Sequence, residues 1–185
     1  GLDTVRLSIQ NAGTGLERVR TLNFSTGLTA AEDLSNRRIS VTTQAIAARV
    51  YNSANLSIDS STGTSLTFDS ENFDTNGLHS VSSNTDRLTA SVAGKYLVGA
   101  NIRWAGNAVG VRQLAITHNG TSTYVATIVA PSVGVTAIEQ QVTALFNMAA
   151  GDYVVARVWQ DSGGALNVEY SATRSPYFWI AYLGT

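Results

Sequence analysis

The chain has 185 residues, of which 44% are hydrophobic and only 14% charged, and its 12 basic and 13 acidic side chains leave a formal net charge of -1. That balance furnishes a sizeable core and gives no electrostatic footprint for nucleic acid or an anionic membrane. Cysteine is absent, which excludes a disulfide framework, a thiol nucleophile and a zinc-thiolate site, and no run approaches the roughly 18 to 20 apolar residues of a membrane helix.

Behind Gly1 there is no basic region followed by an apolar block, and no initiating methionine. The chain is therefore expected to be a processed product or a piece of something longer. Threonine, valine, serine and glycine crowd the sequence while lysine and glutamate are few, which favours strands over helices. The apolar residues alternate: Val5, Leu7 and Ile9, then Leu22 and Phe24, then Ile39 and Val41, then Leu66 and Phe68. Thr29 to Leu34 is the one helix candidate, and its shortness makes it a loop or a single turn. Residues 1–45 hold three short strand-like pieces among polar loops, too little apolar material to fold alone, so they are expected to be a docking or stalk segment. From residue 46 to 185 the strands lengthen, and all three tryptophans, Trp104, Trp159 and Trp179, fall there. Turn signals at Asn76-Gly77, Asn119-Gly120 and Ser162-Gly163-Gly164 punctuate this part, as in a β-sandwich or jelly roll.

A strand in a sandwich meets the core on one face and water on the other. Two strands here have no polar face. In "PYFWIAYLG", Tyr177, Trp179, Ala181 and Leu183 alternate with Phe178, Ile180 and Tyr182; in "YVVARVW", Tyr153, Val155 and Trp159 alternate with Val154, Ala156 and Val158. A second apolar face calls for a second cover, and another copy of the same chain would supply it.

Two phrases nearly repeat, "AGKYLVGA" from Ala93 and "AGDYVVA" from Ala150. A phosphate loop would lead from a strand into a helix, whereas both phrases run into strands, so Gly94 and Gly151 are expected to be turn glycines with Tyr96 and Tyr153 entering at matched depth. Asp69, Glu71 and Asp74 lack the frame and closing glutamate of a calcium loop, so a solvated loop is expected and no metal site. Neither His79 nor His118 lies in a nucleophile motif, and His118-Asn119-Gly120 is expected to tip a hairpin. Trp104-Ala105-Gly106-Asn107 suits either a sugar-stacking loop or a tryptophan closing the core. No catalytic residue and no cofactor site emerges, and an enzyme is not expected.

Six phrases carry a resemblance: "ARVYNSANLSI" from Ala48, "LTFDSENFDTNGLHS" from Leu66, "RLTASVAGKYLVGANIRW" from Arg87, "LAITHNG" from Leu114, "LFNMAAGDYVVARVWQDSGGALNV" from Leu145 and "SPYFWIAYLG" from Ser175. In this order they resemble the TNF-like jelly roll shared with the globular head of complement subcomponent q, above all its bacterial and phage versions. The resemblance implies a ten-stranded jelly roll assembled as a tight trimer, binding or scaffolding without catalysis. The collagen-like repeat of the eukaryotic heads is missing, which argues against a complement-type or cytokine role. Taken with the two-faced strands, the expected trimer interface comprises Tyr51, Val154, Val158, Phe178, Ile180 and Tyr182, with the second of the twin phrases against a neighbour. "GTGLERVRTLNFSTGLTAAEDLSNRRISVT" from Gly13 is similar to short β-rich phrases of phage tail-fibre proteins. The expectation is a homotrimeric virion protein, a fibre knob or a capsid decoration, whose partners are other virion proteins or a host-surface glycan or protein. Neither nucleic acid nor membrane insertion is expected. A secreted bacterial recognition or matrix protein with the same head is the alternative.

Overall fold

The computed structural model describes residues 28–33, 38–43, 45–172 and 176–185, the first two stretches as strand backbone. Gly1–Thr42 and Thr43–Thr185 form separate compact units. In the first, β1 (Leu28–Asp33) pairs with β2 (Arg38–Thr43). The alternation at Ile39 and Val41 thus marks a strand, but the stretch expected as a loop or single turn is a strand as well. Pairing supplies its backbone with partners, and that outweighs the weak β preference of its alanines and acids. The expected strands at Val5 to Ile9 and Leu22 to Phe24 lie outside the described residues.

The second unit contains no helix among its described residues. Its strands are β3 (Ala47–Tyr51), β4 (Leu56–Ile58), β5 (Thr64–Ser65), β6 (Ser70–Asp74), β7 (Arg87–Thr89), β8 (Gly94–Trp104), β9 (Val111–His118), β10 (Tyr124–Pro131), β11 (Ile138–Met148), β12 (Tyr153–Gln160), β13 (Leu166–Val168) and β14 (Tyr177–Gly184). A five-stranded sheet runs β10-β9-β12-β5, with β7 also on β12; a seven-stranded sheet runs β4-β13-β8-β14-β3-β6, with β11 also on β8. The ladders are antiparallel. Among the described residues twelve strands stand where the resemblance implied ten, the excess coming from short pieces such as β5 that extend a ladder by two residues.

Inward positions follow the period of two. Ala48 and Val50 of β3, Tyr96 to Trp104 of β8 at alternate positions, Leu114 and Ile116 of β9, and Val154, Ala156 and Val158 of β12 meet in one core with Phe178 and Ile180. Phe68 stacks on Phe178 with ring centres 5.5 Å apart. This corrects the expected interface: Val154, Val158, Phe178 and Ile180 are 0–1% exposed within a single chain, so no side-chain surface is left for a neighbour. Tyr182 shares their inward parity and tilts against Tyr96 at 5.2 Å. Of the six residues, Tyr51 alone points away from the core.

Trp104 is fully buried and donates from Nε1 to Gln140 Oε1 at 2.8 Å, so it closes the core and offers no face to a sugar. Arg112 is also fully buried; its guanidinium donates to the carbonyls of Val109 and Val111 at 3.0 and 2.9 Å and so holds the β8–β9 connection. Burial pulls its pKa below the usual arginine value, an effect that the charge of Asp161 opposes.

The twin phrases do open strands, at unlike depth. Tyr96 is buried in the core while Tyr153 stands on the outer side of β12. A Cβ on Gly94 would meet Gly184 O and the Tyr182 ring at 2.6 Å, whereas Gly151 has open space and a φ of 89°. One glycine serves a close approach and the other a left-handed turn.

Candidate interaction surfaces

The outer side of the seven-stranded sheet is built by β3, β14 and β8 with their edge partners. On β3, Arg49 and Tyr51 point outward; the Arg49 guanidinium lies 4.0 Å above the Tyr177 ring, and Tyr51 meets the same ring at 6.0 Å. These contacts leave Tyr177 only 4% exposed. Further along β14, the Trp179 indole lies against Gly99 of β8, where a Cβ would come within 2.1 Å of the ring. The glycine is thus the bed of the tryptophan. Ala47, Arg49, Phe73, Trp179 and Ala181 line a shallow depression of about 320 Å³. Around it, Phe73 and Leu145 are 47% and 61% exposed. Leu145 pairs with Leu97, which puts both on this outer side.

A second apolar surface lies on the five-stranded sheet. β10 is bonded to β9 alone among the described residues. Ile128 and Val129 on it, and Val133 and Val135 just beyond, are 36%, 57%, 57% and 87% exposed.

A polar depression of about 420 Å³ opens at the end of the sandwich where β3 begins and β14 ends, between the β6–β7 connection, β7 and the turn into β12. His79 is held between Glu71 Oε1 at 2.9 Å and the Thr85 carbonyl at 3.3 Å. Asp74 accepts from the backbone N–H of Asn76 and of His79 at 3.0 and 2.9 Å. Arg87 lies over Tyr153, with Cζ 4.1 Å from the ring centre. Below the turn, Asp152 accepts from Asn119 Nδ2 at 2.7 Å and from the Ala149 N–H at 2.8 Å. Those bonds, first the one from Asn119, hold its pKa below the usual carboxylate value.

The acids of "FDSENFD" latch loops. Asp69 accepts from the Ser53 N–H and hydroxyl at 2.9 and 2.7 Å, and although burial pushes its pKa up, the bonds from Ser53 and Ser70 together bring it down. Among the described residues no group of three or more histidines and acids could hold a metal ion. At the β9–β10 hairpin, Asn119 and Gly120 take φ of 50° and 68°, and the Thr121 N–H closes the turn on the His118 carbonyl at 3.1 Å, the hairpin tip foreseen from the sequence.

Sequence reasoning missed Arg49, Phe73, Trp179 and Leu145 as an outward group, and Arg87 with Tyr153 as the rim of a depression. The polar residues Arg49, Lys95, Asn101 and Arg103 mark the outward parity of β3 and β8 in the sequence. β14 carries no such mark, so its facing is legible only through its register with those two strands.

No family model matches the chain, and no curated protein does. Solved structures do. Murine APRIL at pH 5.0 matches with a TM-score of 0.58 at 10% identity over 76% of this chain and 100% of that one. The same protein at pH 8.0 matches with a TM-score of 0.57 at 10% identity and the same coverage. Eiger TNF from S. frugiperda matches with a TM-score of 0.51 at 12% identity over 76% of this chain and 93% of that one. The fold is therefore the TNF-like jelly roll, an all-β sandwich, as the six phrases implied. Among the described residues no helix is long and apolar enough to cross a membrane.

Proposed function

We propose that this chain is a non-enzymatic structural protein of a phage virion, a fibre knob or a capsid decoration, whose head assembles as a homotrimer and attaches to a host-surface or virion component. The observation that carries the assembly is the outer side of the seven-stranded sheet, where Phe73, Leu97, Leu145, Trp179 and Ala181 form an apolar field in which Phe73 and Leu145 stay exposed among the described residues. A face of that kind marks an interaction site. Val129 of β10, with Val133 and Val135 of its following loop, offers a second, different apolar surface. Two unlike surfaces suit a head-to-tail contact, and where its rotation closes such a contact makes a ring, of which the trimer is the smallest. The proposed interface is thus Tyr51 with Arg49, Phe73, Trp179 and Leu145, in place of the core residues Val154, Val158, Phe178 and Ile180.

The virion setting rests on the similarity of residues 13–42 to tail-fibre phrases. Residues 1–45 act as the docking or stalk segment for the head. Attachment uses the connections at the end opposite the start of β3, presented three times so that weak contacts add. Light scattering of the full chain tests the assembly: three times 19.5 kDa is expected, and a monomer at micromolar concentration overturns it. Binding to purified capsids without binding to cells selects the decoration role, and the reverse selects the knob. Binding to neither, with secretion by a bacterium, selects the recognition or matrix protein instead.

A further inference from the structure

We propose that the polar depression beside Arg87 binds a small ligand carrying one oxyanion, a carboxylate or a phosphate. This site lies at the end of the sandwich away from the attachment loops and depends on the fold alone, not on the virion reading. The Arg87 guanidinium sits over the Tyr153 ring, its Cζ 4.1 Å from the ring centre, a cation–π contact that holds it in place. Its Nε reaches Asp86 Oδ1 only at 3.4 Å, and its two terminal nitrogens have no hydrogen-bond partner among the described residues. An immobilised guanidinium with free terminal N–H groups is the geometry that takes an oxyanion on two parallel bonds.

The surrounding acids do not compete for it, because Glu71 is engaged by His79 and Asp152 by Asn119 and the Ala149 N–H. Asp86 is the one carboxylate at its side.

The walls are built in advance. Leu78 is buried beneath them, its carbonyl accepting from the Thr89 N–H at 2.7 Å, and the Asn84 carbonyl accepts from the Arg87 N–H at 3.2 Å. Little ordering is left for a ligand to induce. Asn84 sits on the rim at a φ of 51°, exposed, with a side-chain amide that bonds nothing among the described residues. Ser80 and Ser83, hydroxyls 3.3 Å apart, line the same space. A guanidinium for the charge, with an amide and hydroxyls beside it, suits an oxyanion borne on a hydroxylated body. The volume of about 420 Å³ falls in the usual range of roughly 300–1,000 Å³ for small-molecule sites.

Calorimetric titration of the full chain with sodium glucuronate, sodium phosphate and methyl glucoside tests the site. Glucuronate or phosphate should bind at millimolar concentration or below, the neutral glucoside should not, and Arg87→Gln should weaken the anion at least tenfold while melting with the wild type. Glucuronate preferred over phosphate, with the preference lost in Asn84→Ala, names an acidic saccharide as the source. Phosphate bound as well or better, and indifferent to Asn84→Ala, names the free anion. Absence of binding by both anions, or wild-type affinity in a folded Arg87→Gln, overturns the proposal. No capsid or cell enters the experiment, so its failure leaves the attachment reading where it stood.

Discussion

Strands β12 and β14 carry the same sequence signal, apolar residues on both faces, and the fold treats them differently. On the outer side of β12, Val155 is 4% exposed, with Arg87 opposite it in the ladder and lying over Tyr153, and with the Arg157 guanidinium donating to the Gly63 carbonyl at 3.3 Å. Long basic side chains on this side bring both their stems and their guanidinium heads back onto the sheet. On the outer side of β14, Arg49 and Tyr51 cover Tyr177, but among the described residues Trp179 stays half-buried and Phe73 and Leu145 beside it stay exposed. An apolar second face is therefore not in itself a call for a partner. On β14 the proposed interface takes the part of the face that the described residues leave uncovered.

The largest effect separates the inward and outward residues of β14. Phe178→Ala should cost about 3–5 kcal/mol in denaturant unfolding, as a fully buried aromatic leaves a cavity. A loss below 1 kcal/mol would reverse the assigned facing. Next, Gly99→Val should cost about 1–3 kcal/mol, because the new side chain lifts Trp179 from its bed, and the tryptophan fluorescence should change with it.

Smaller in folding energy but decisive for the comparison is the pair Phe73→Asp and Leu145→Asp. Both sites are exposed in the single chain, so stability of the monomer should stay within about 0.5 kcal/mol while the proposed assembly falls apart in light scattering. Trp159→Ala on the outer side of β12 should leave the assembly intact; dissociation there would erase the distinction between the two strands.

The smallest effect concerns the turn into β12. Asp152 is depressed in the folded chain, so its contribution is fully present above the ordinary carboxyl value of 3.8 and is lost as the pH falls through the lower folded-state value. Thermal melts of Asp152→Asn should accordingly show a weaker fall in stability below pH 4 than the wild type, with the two converging in acid.

Much of the architecture was legible in particular residues. Asn119-Gly120 marked a hairpin because both positions need positive φ, and the alternation of β3 and β8 announced strands whose polar members point outward. The alternation of Leu66 and Phe68 was right about burial: both side chains fill the core, and just past the end of β5 the Leu66 N–H still donates to the Ala156 carbonyl of β12 at 2.9 Å. The acids at Asp69, Glu71 and Asp74 were legible as loop residues, while their partners, from Ser53 to His79, depended on distant segments.

By itself the sequence determined that this protein is a β-sandwich with two strands apolar on both sides, since a period of two needs only the order of residues. Which side of each strand meets the core was decided by tertiary structure. Alternation has no sign, and the sign comes from the register of β14 between β3 and β8 and from what the opposite sheet presents. The Arg87 depression has the same origin: its guanidinium and its aromatic seat belong to β7 and β12, and only the antiparallel register of Tyr153 against Thr89 brings them together.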